Sequence, residues 1–268
     1  MSRPDPFLNM LKDIGYLPLR LPRADVMPLQ LLNIDGKKFT LLGDLEEAMN
    51  AGSAKLPALK KDIVTAGQIQ GTKTSTVKAS IGLDILGNIL GALTGTKIDV
   101  SAGFQNAATL TFEFADVTVS TVSVILLDKY LNVATIDDTA KQIKQMMQSG
   151  QVAVTTAVAR SKKYMVSAQN DKGVDIKADV PVIKEIASGN LTVSAASSKQ
   201  TKICFEGPDA VTFGVQAAQL MYDAEGKISA LNQIASGSGM LGMAGKAKAP
   251  GKAAPRLVKT TAQFVEIV

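Results

Sequence analysis

Residues 235–255 of this chain read ASGSGMLGMAGKAKAPGKAAP, a run of small residues with spaced lysines and prolines that carries neither a helical nor a strand period. Behind it the sequence turns apolar and β-forming again, RLVKTTAQFVEIV over 256–268. A polar tail would fray into solvent. A sticky segment on a loose tether has to dock, and the body of its own chain is the nearest partner. The fold must therefore offer this segment a surface, and the reading divides the chain into a body (1–235), a linker (236–255) and a docking segment (256–268).

The body favours strands. Its apolar mass is Val, Ile, Leu and Ala diluted with Thr and Ser, and aromatic residues make up only 4%. Leu110, Phe112 and Phe114 alternate with Thr109, Thr111 and Glu113. Strands are expected at 16–21, 38–42, 63–69, 74–80, 97–114, 117–125, 152–159, 162–169, 191–196, 201–205, 211–222 and 228–234. Helices are expected from Asp5 to Gly15, as a short turn over 25–32, over 43–50, over 81–93, over 136–148 (stripe Ile136, Ala140, Ile143, Met147) and after Pro181. Asn170–Gly173 signals a turn. The sum is an α+β fold, a twisted and mainly antiparallel central sheet with peripheral helices.

Absences narrow the chemistry. The chain has no histidine and one cysteine, which excludes an imidazole base, a Ser–His–Asp relay, a zinc site and an internal disulfide. Cys204, between Ile203 and Phe205, reads as a buried strand residue. Gly237–Gly242 fits G-x-G-x-x-G formally, but it opens no helix and reads as linker. Asp137 and Asp138 sit at a helix start, where they complement the dipole. No catalytic cluster, cofactor site or metal site emerges, so the chain is not expected to be an enzyme. Pro4, Asp5 and Pro6 interrupt the place of a signal peptide, and no run reaches about 18 apolar residues. A cytoplasmic protein without a transmembrane helix is the expectation.

The net charge of +5 is uneven. Lys246, Lys248, Lys252, Arg256 and Lys259 against Glu266 give the last 25 residues four positive charges, leaving the body at one. A nucleic-acid binder carries its basic patch on the folded body, so that partner is excluded.

Two blocks, 63–114 and 151–206, each hold long Thr/Ser/Ala/Val strands around a short helix. They read either as hairpins of a half-solvated antiparallel sheet or as membrane-spanning hairpins stored in a precursor, for which strands of about 9–11 alternating residues suffice. Leu110, Phe112, Phe114, Val152, Val154 and Val158 are the candidate inserting residues under the second reading. Gly82, Gly87 and Gly91 weaken the apolar helix 81–93, which is either buried core or a segment that converts to strand.

Several short stretches together resemble the bacterial gasdermins, pore-forming proteins of antiviral defence: Asp5-Pro-Phe-Leu, Leu11-Lys and Gly15-Tyr16; Arg20-Leu-Pro-Arg23 and Pro28-Leu with Leu31-Leu32; Gly82-Leu-Asp-Ile-Leu86; Phe205-Glu-Gly207; and Phe213-Gly-Val-Gln-Ala217 leading to Tyr222-Asp223. The resemblance implies a monomer held inactive by its C-terminal segment. A partner protease cuts the tether, and the body assembles into a large ring on inner-membrane phospholipids, where the two blocks become barrel strands. Many relatives carry a palmitoylated cysteine near the N-terminus; MSRPDPFL has none, so no such acylation site is found. By this likeness Leu257, Val258, Phe264, Val265, Ile267 and Val268 become the inhibitory contacts. Leu241 and Met243 are cleavage candidates for an apolar-specific protease, and Lys246, Lys248 and Lys252 for a trypsin-like one, with 241–248 favoured. Arg160, Lys162 and Lys163 are the expected lipid-facing charges, since the liberated body is nearly neutral. The competing reading is a soluble β-rich binding or carrier module whose last strand only completes the sheet.

Overall fold

The computed structural model describes residues 11, 15–35, 38–64, 70–74, 108–170, 172–174, 192–195, 202–222, 228–236, 258–260 and 266–267. The chain opens with β1 (Leu17–Arg23), β2 (Gln30–Asp35) and β3 (Lys38–Asp44), a single helical turn α1 (Leu45–Ala48), and the two-residue β4 (Met49–Asn50). Then come β5 (Leu59–Val64), β6 (Gln70–Thr74), β7 (Thr109–Ala115), β8 (Val117–Val122), helix α2 (Val124–Val133), β9 (Thr135–Ile136) and helix α3 (Lys141–Gln148). The second half is strand: β10 (Val152–Gln169), β11 (Thr192–Ala195), β12 (Lys202–Tyr222), β13 (Ile228–Ser236), β14 (Val258–Thr260) and β15 (Glu266–Ile267).

Among the described residues thirteen strands form one sheet, and β4 pairs with β9 in a second, two-stranded one. The spine is the antiparallel pair of β10, 18 residues, and β12, 21 residues. Each spine strand spends its outer edge on three shorter strands in succession. Along β10 these are β2 at 152–154, β8 at 157–160 and β7 at 163–169. Along β12 they are β11 at 203–206, β1 at 212–215 and β13 at 217–222. Beyond these, β5 extends β8, β6 extends β7 and β3 extends β2. All of these pairings are antiparallel, as expected for a mainly antiparallel sheet; among the described residues β14 on β13 and β15 on β3 run parallel.

The near end of the spine is buried on both faces. Val152 and Val154 join Leu127, Tyr130, Leu131 and Met147 in a core beneath the helices. Ala153 and Val158 belong to a second core with Leu17, Leu32, Phe39, Val215 and Ile234. A half-solvated sheet is therefore not what residues 152–159 build: every one of them is buried. Val152 and Val158 would share a face by simple alternation. A register shift between Thr155 and Ala157 turns them to opposite cores. Phe39 on β3 and Ile234 on β13 lie in the same core although β2, β10 and β12 separate their strands. The sheet thus curls until its two edges approach one another.

Several elements depart from the sequence reading. The helical turn expected over 25–32 is instead a tight turn into β2. Leu29 takes a left-handed φ of 67°, and its N–H donates to Thr155 O at 2.8 Å, so pairing with β10 overrides local helix preference. Helix α1 is shorter than the expected 43–50. The strand expected over 117–125 stops at Val122, because Ser123 Oγ accepts the Leu126 N–H and starts α2, a helix absent from the sequence reading. Helix α3 begins at Lys141 rather than Ile136. Ile136 is held in β9, and Asp137 Oδ1 accepts the Thr139 N–H at 2.8 Å to form a turn. Of the strands expected at 63–69 and 74–80, the described part of the first lies in β5, which starts at Leu59, and that of the second in β6, which starts at Gln70; residues 65–69 and 75–80 lie outside the described residues. So do the helices expected at 81–93 and after Pro181, most of the one before Gly15, and residues 97–107 of the strand expected over 97–114.

Two expected breaks are bridged. The segments 152–159 and 162–169 are one strand, as are 201–205 and 211–222. The residues between the expected segments are Arg160 and Ser161 on β10 and 206–210 on β12. They sit at a bulge. Ser161 pairs with Val211 and Lys163 with Glu206, so Lys162 on β10 faces the four residues 207–210 on β12.

Candidate functional site

The feature that bears on function is where the C-terminal strands lie. The sheet path runs β14–β13–β12–β10–β2–β3–β15, so the two strands after the linker occupy its two ends. In β14, Val258 registers with Ile234; in β15, Ile267 registers with Phe39. Ile234 and Phe39 are members of the second core. The segment thus meets one core from both of its edges. Strand edges left open present unpaired N–H and C=O groups that template association with another chain. Here β14 and β15 cover them in part.

A set of buried polar groups ties the turn between β1 and β2 to the spine. Thr155 Oγ1 donates to Met27 O at 2.7 Å and accepts the Gln30 N–H at 2.9 Å. Thr212 Oγ1 donates to Val26 O at 2.8 Å. The Arg160 guanidinium donates to Ala24 O at 3.0 Å and Ala210 O at 2.7 Å, bracing the bulge against the same turn. Asp25 and Arg23 complete the turn as a bidentate pair at 2.7 and 2.9 Å, which holds the Asp25 carboxyl below its ordinary range through the hydrogen bonds from Arg23. Threonines in a strand look like surface residues, and nothing in the sequence distinguishes Thr155 and Thr212 as buried.

A family model described as the Bacterial Gasdermin Family matches residues 19–227. This chain belongs to the bacterial gasdermins. It is 40% identical to a gasdermin of a Desulfuromonadales bacterium over 95% of its own length and 94% of that protein. It is 30% identical to a gasdermin of Lysobacter enzymogenes over 87% of its length and 86% of the relative. A solved structure of a bacterial gasdermin from Bradyrhizobium tropiciagri superimposes with a TM-score of 0.57 at 17% identity, covering 85% of this chain and 90% of that one, a likeness of fold. The kinship is with gasdermins rather than with a catalytic family.

In this gasdermin the candidate inserting residues fall in two environments. Val152, Val154 and Val158 are fully buried at the near end of the spine. Phe114 is locked farther along, its ring stacked on Phe213 at 3.8 Å and 7° and tilted against Tyr164 at 4.9 Å. Leu110 and Phe112 lie in β7, opposite Ala168 and Val166 of β10. The two blocks meet there, since β7 pairs with β10, β6 with β7 and β11 with β12.

The three basic candidates also separate. Arg160 is bound to backbone carbonyls. Lys163 Nζ lies 2.9 Å from Asp116 and 3.8 Å from Glu206. Lys162 is exposed at the bulge. Leu241, Met243, Lys246, Lys248, Lys252, Leu257, Phe264, Val265 and Val268 lie outside the described residues. No described helix is long and apolar enough to cross a membrane, which leaves membrane crossing by strands untouched.

Proposed function

We propose that this gasdermin is an autoinhibited pore former, latched by residues 256–268 and released by a protease that cuts within 236–255. The observation that supports the reading is the placement of β14 and β15 on the two ends of the sheet path, against a single core. While covered, the edges are closed to a second copy. Once the tether is cut, the segment is held by non-covalent contacts, β14 and β15 among them, and its loss opens both edges to self-association. The body then assembles into a large ring on inner-membrane phospholipid, and the blocks 63–114 and 151–206 insert as strands. The pore permeabilises the inner membrane and kills the cell, a defence against phage. Before cleavage the protein is a cytoplasmic monomer.

Limited proteolysis tests this directly. A single early cut is expected between Leu241 and Lys252, identified by mass of the product, and the cut protein should release dye from phospholipid vesicles. Cut protein that stays monomeric and leaves vesicles tight would remove the pore-forming reading in favour of a β-rich carrier whose last strands are structural.

A further inference from the structure

Four of the five large apolar side chains exposed among the described residues lie together. Ile125 is 71% exposed, Leu126 49%, Val133 66% and Leu59 43%. On α2, Leu127, Tyr130 and Leu131 face the core. Ile125, Lys129 and Val133 follow at spacing four along the opposite side, with Leu126 beside them. Asp128 and Asn132 occupy one flank of this stripe. On the other flank, α2 and the loop before β5 enclose a groove of about 410 Å³. Its apolar wall is Leu56, Pro57, Leu126 and Tyr130, and its charges are Lys55 and Lys129, with no acidic residue in the lining. Neither lysine has an ion-pair partner among the described residues.

An apolar ridge rimmed by ammonium groups matches the interface of an anionic bilayer, where apolar side chains enter the acyl boundary and lysines meet phosphate. A soluble monomer gains nothing from leaving these side chains in water. The place in the fold fits as well. Leu59 opens β5 opposite Val122, the last residue of β8, and α2 follows at once. The surface therefore stands where the chain enters and leaves the first inserting block. We propose that α2 and the loop 54–59 form the membrane-docking face of this protein, with Lys55 and Lys129 engaging the phosphates of anionic phospholipid and Ile125, Leu126 and Val133 entering the bilayer interface. The role rests on the pore-forming reading above, yet the face is exposed in the latched chain and can be measured without cleavage.

The experiment sediments the full, uncut chain with vesicles of phosphatidylethanolamine and phosphatidylglycerol, and with phosphatidylcholine vesicles, at low and high salt. Binding is expected to the anionic vesicles at low salt only. Lys55→Gln with Lys129→Gln should lower the partition coefficient roughly thirtyfold, a loss of two surface lysines. Ile125→Ser with Val133→Ser should lower it several-fold, with circular dichroism unchanged in both variants. Binding that neither variant alters, or equal binding to phosphatidylcholine, overturns the proposal. So does a result in which the variants weaken self-association of the cut chain but leave vesicle binding intact, which would assign the face to a second copy. Vesicle leakage by the cut chain separates the two readings. Leakage with variant-independent binding overturns the docking face alone, whereas variant-sensitive binding without leakage overturns pore formation and leaves the docking face standing.

Discussion

Two threonines of the spine, both buried, differ in one respect. Thr212 Oγ1 donates to Val26 O, while Thr156 Oγ1 has no hydrogen-bond partner among the described residues. Valine matches threonine in shape, so the same substitution asks two different questions. Thr212→Val leaves a buried carbonyl without its donor, at a cost of about 1–3 kcal/mol. Thr156→Val removes an orphaned hydroxyl from an apolar site and should be neutral or stabilising by up to about 1 kcal/mol. Urea unfolding of the two variants is expected to move the midpoints in opposite directions, or to move only that of Thr212→Val. Equal losses would mean that the turn over 24–30 is not held through the Thr212 hydroxyl. Neither threonine is distinguishable in the sequence, because burial of a strand hydroxyl is decided by what the strand meets across the fold.

Elements whose identity rests on local pattern were readable, and those decided by a partner were not. The alternation of residues 109–114 and the apolar run 211–222 both appear as strands, and the Asn170–Gly173 turn closes as expected, with the Gly173 N–H donating to Asn170 O at 3.0 Å and Gly173 at a φ of 72°. Helix α2 was missed because Val124, Ile125 and Val133 favour strands. What starts it is a single side chain. Ser123 Oγ accepts the Leu126 N–H, and the buried stripe Leu127, Tyr130 and Leu131 then anchors the helix on the core. Ser123→Ala should cost about 1 kcal/mol and fray the first turn of α2. Amide hydrogen exchange at Leu126 is expected to quicken while exchange in β10 holds steady. Unchanged exchange at Leu126 would show that packing alone sets this boundary. The same logic explains the two fused spine strands: the register shift beside Ser161 is absorbed in a bulge braced by Arg160, and β10 and β12 continue through it.

At the scale of the molecule, the apolar, β-forming character of residues 256–268 does not disclose that β14 and β15 divide between the two ends of the sheet path. That division depends on the curl that brings Phe39 and Ile234 into one core, a consequence of twist and bulges accumulated over the whole sheet. It also carries a consequence for release. Among the described residues β14 spans three residues and β15 two, so on the proposed latch the two edges act together. On the proposed latch, the tether of the intact chain keeps the segment at a high effective concentration, which lets two weak contacts act together. On the same proposal cutting removes that advantage, and occupancy then follows the free concentration of the released piece. A synthetic peptide of residues 256–268, added in excess to the cut body, is expected to slow vesicle leakage in a dose-dependent way, and a scrambled peptide of the same composition should not. Substituting only Val258 or only Ile267 with Asp in the peptide should weaken inhibition in each case, because both edges have to be covered. If either substituted peptide inhibits as well as the parent, one edge suffices and the latch is not two-pointed.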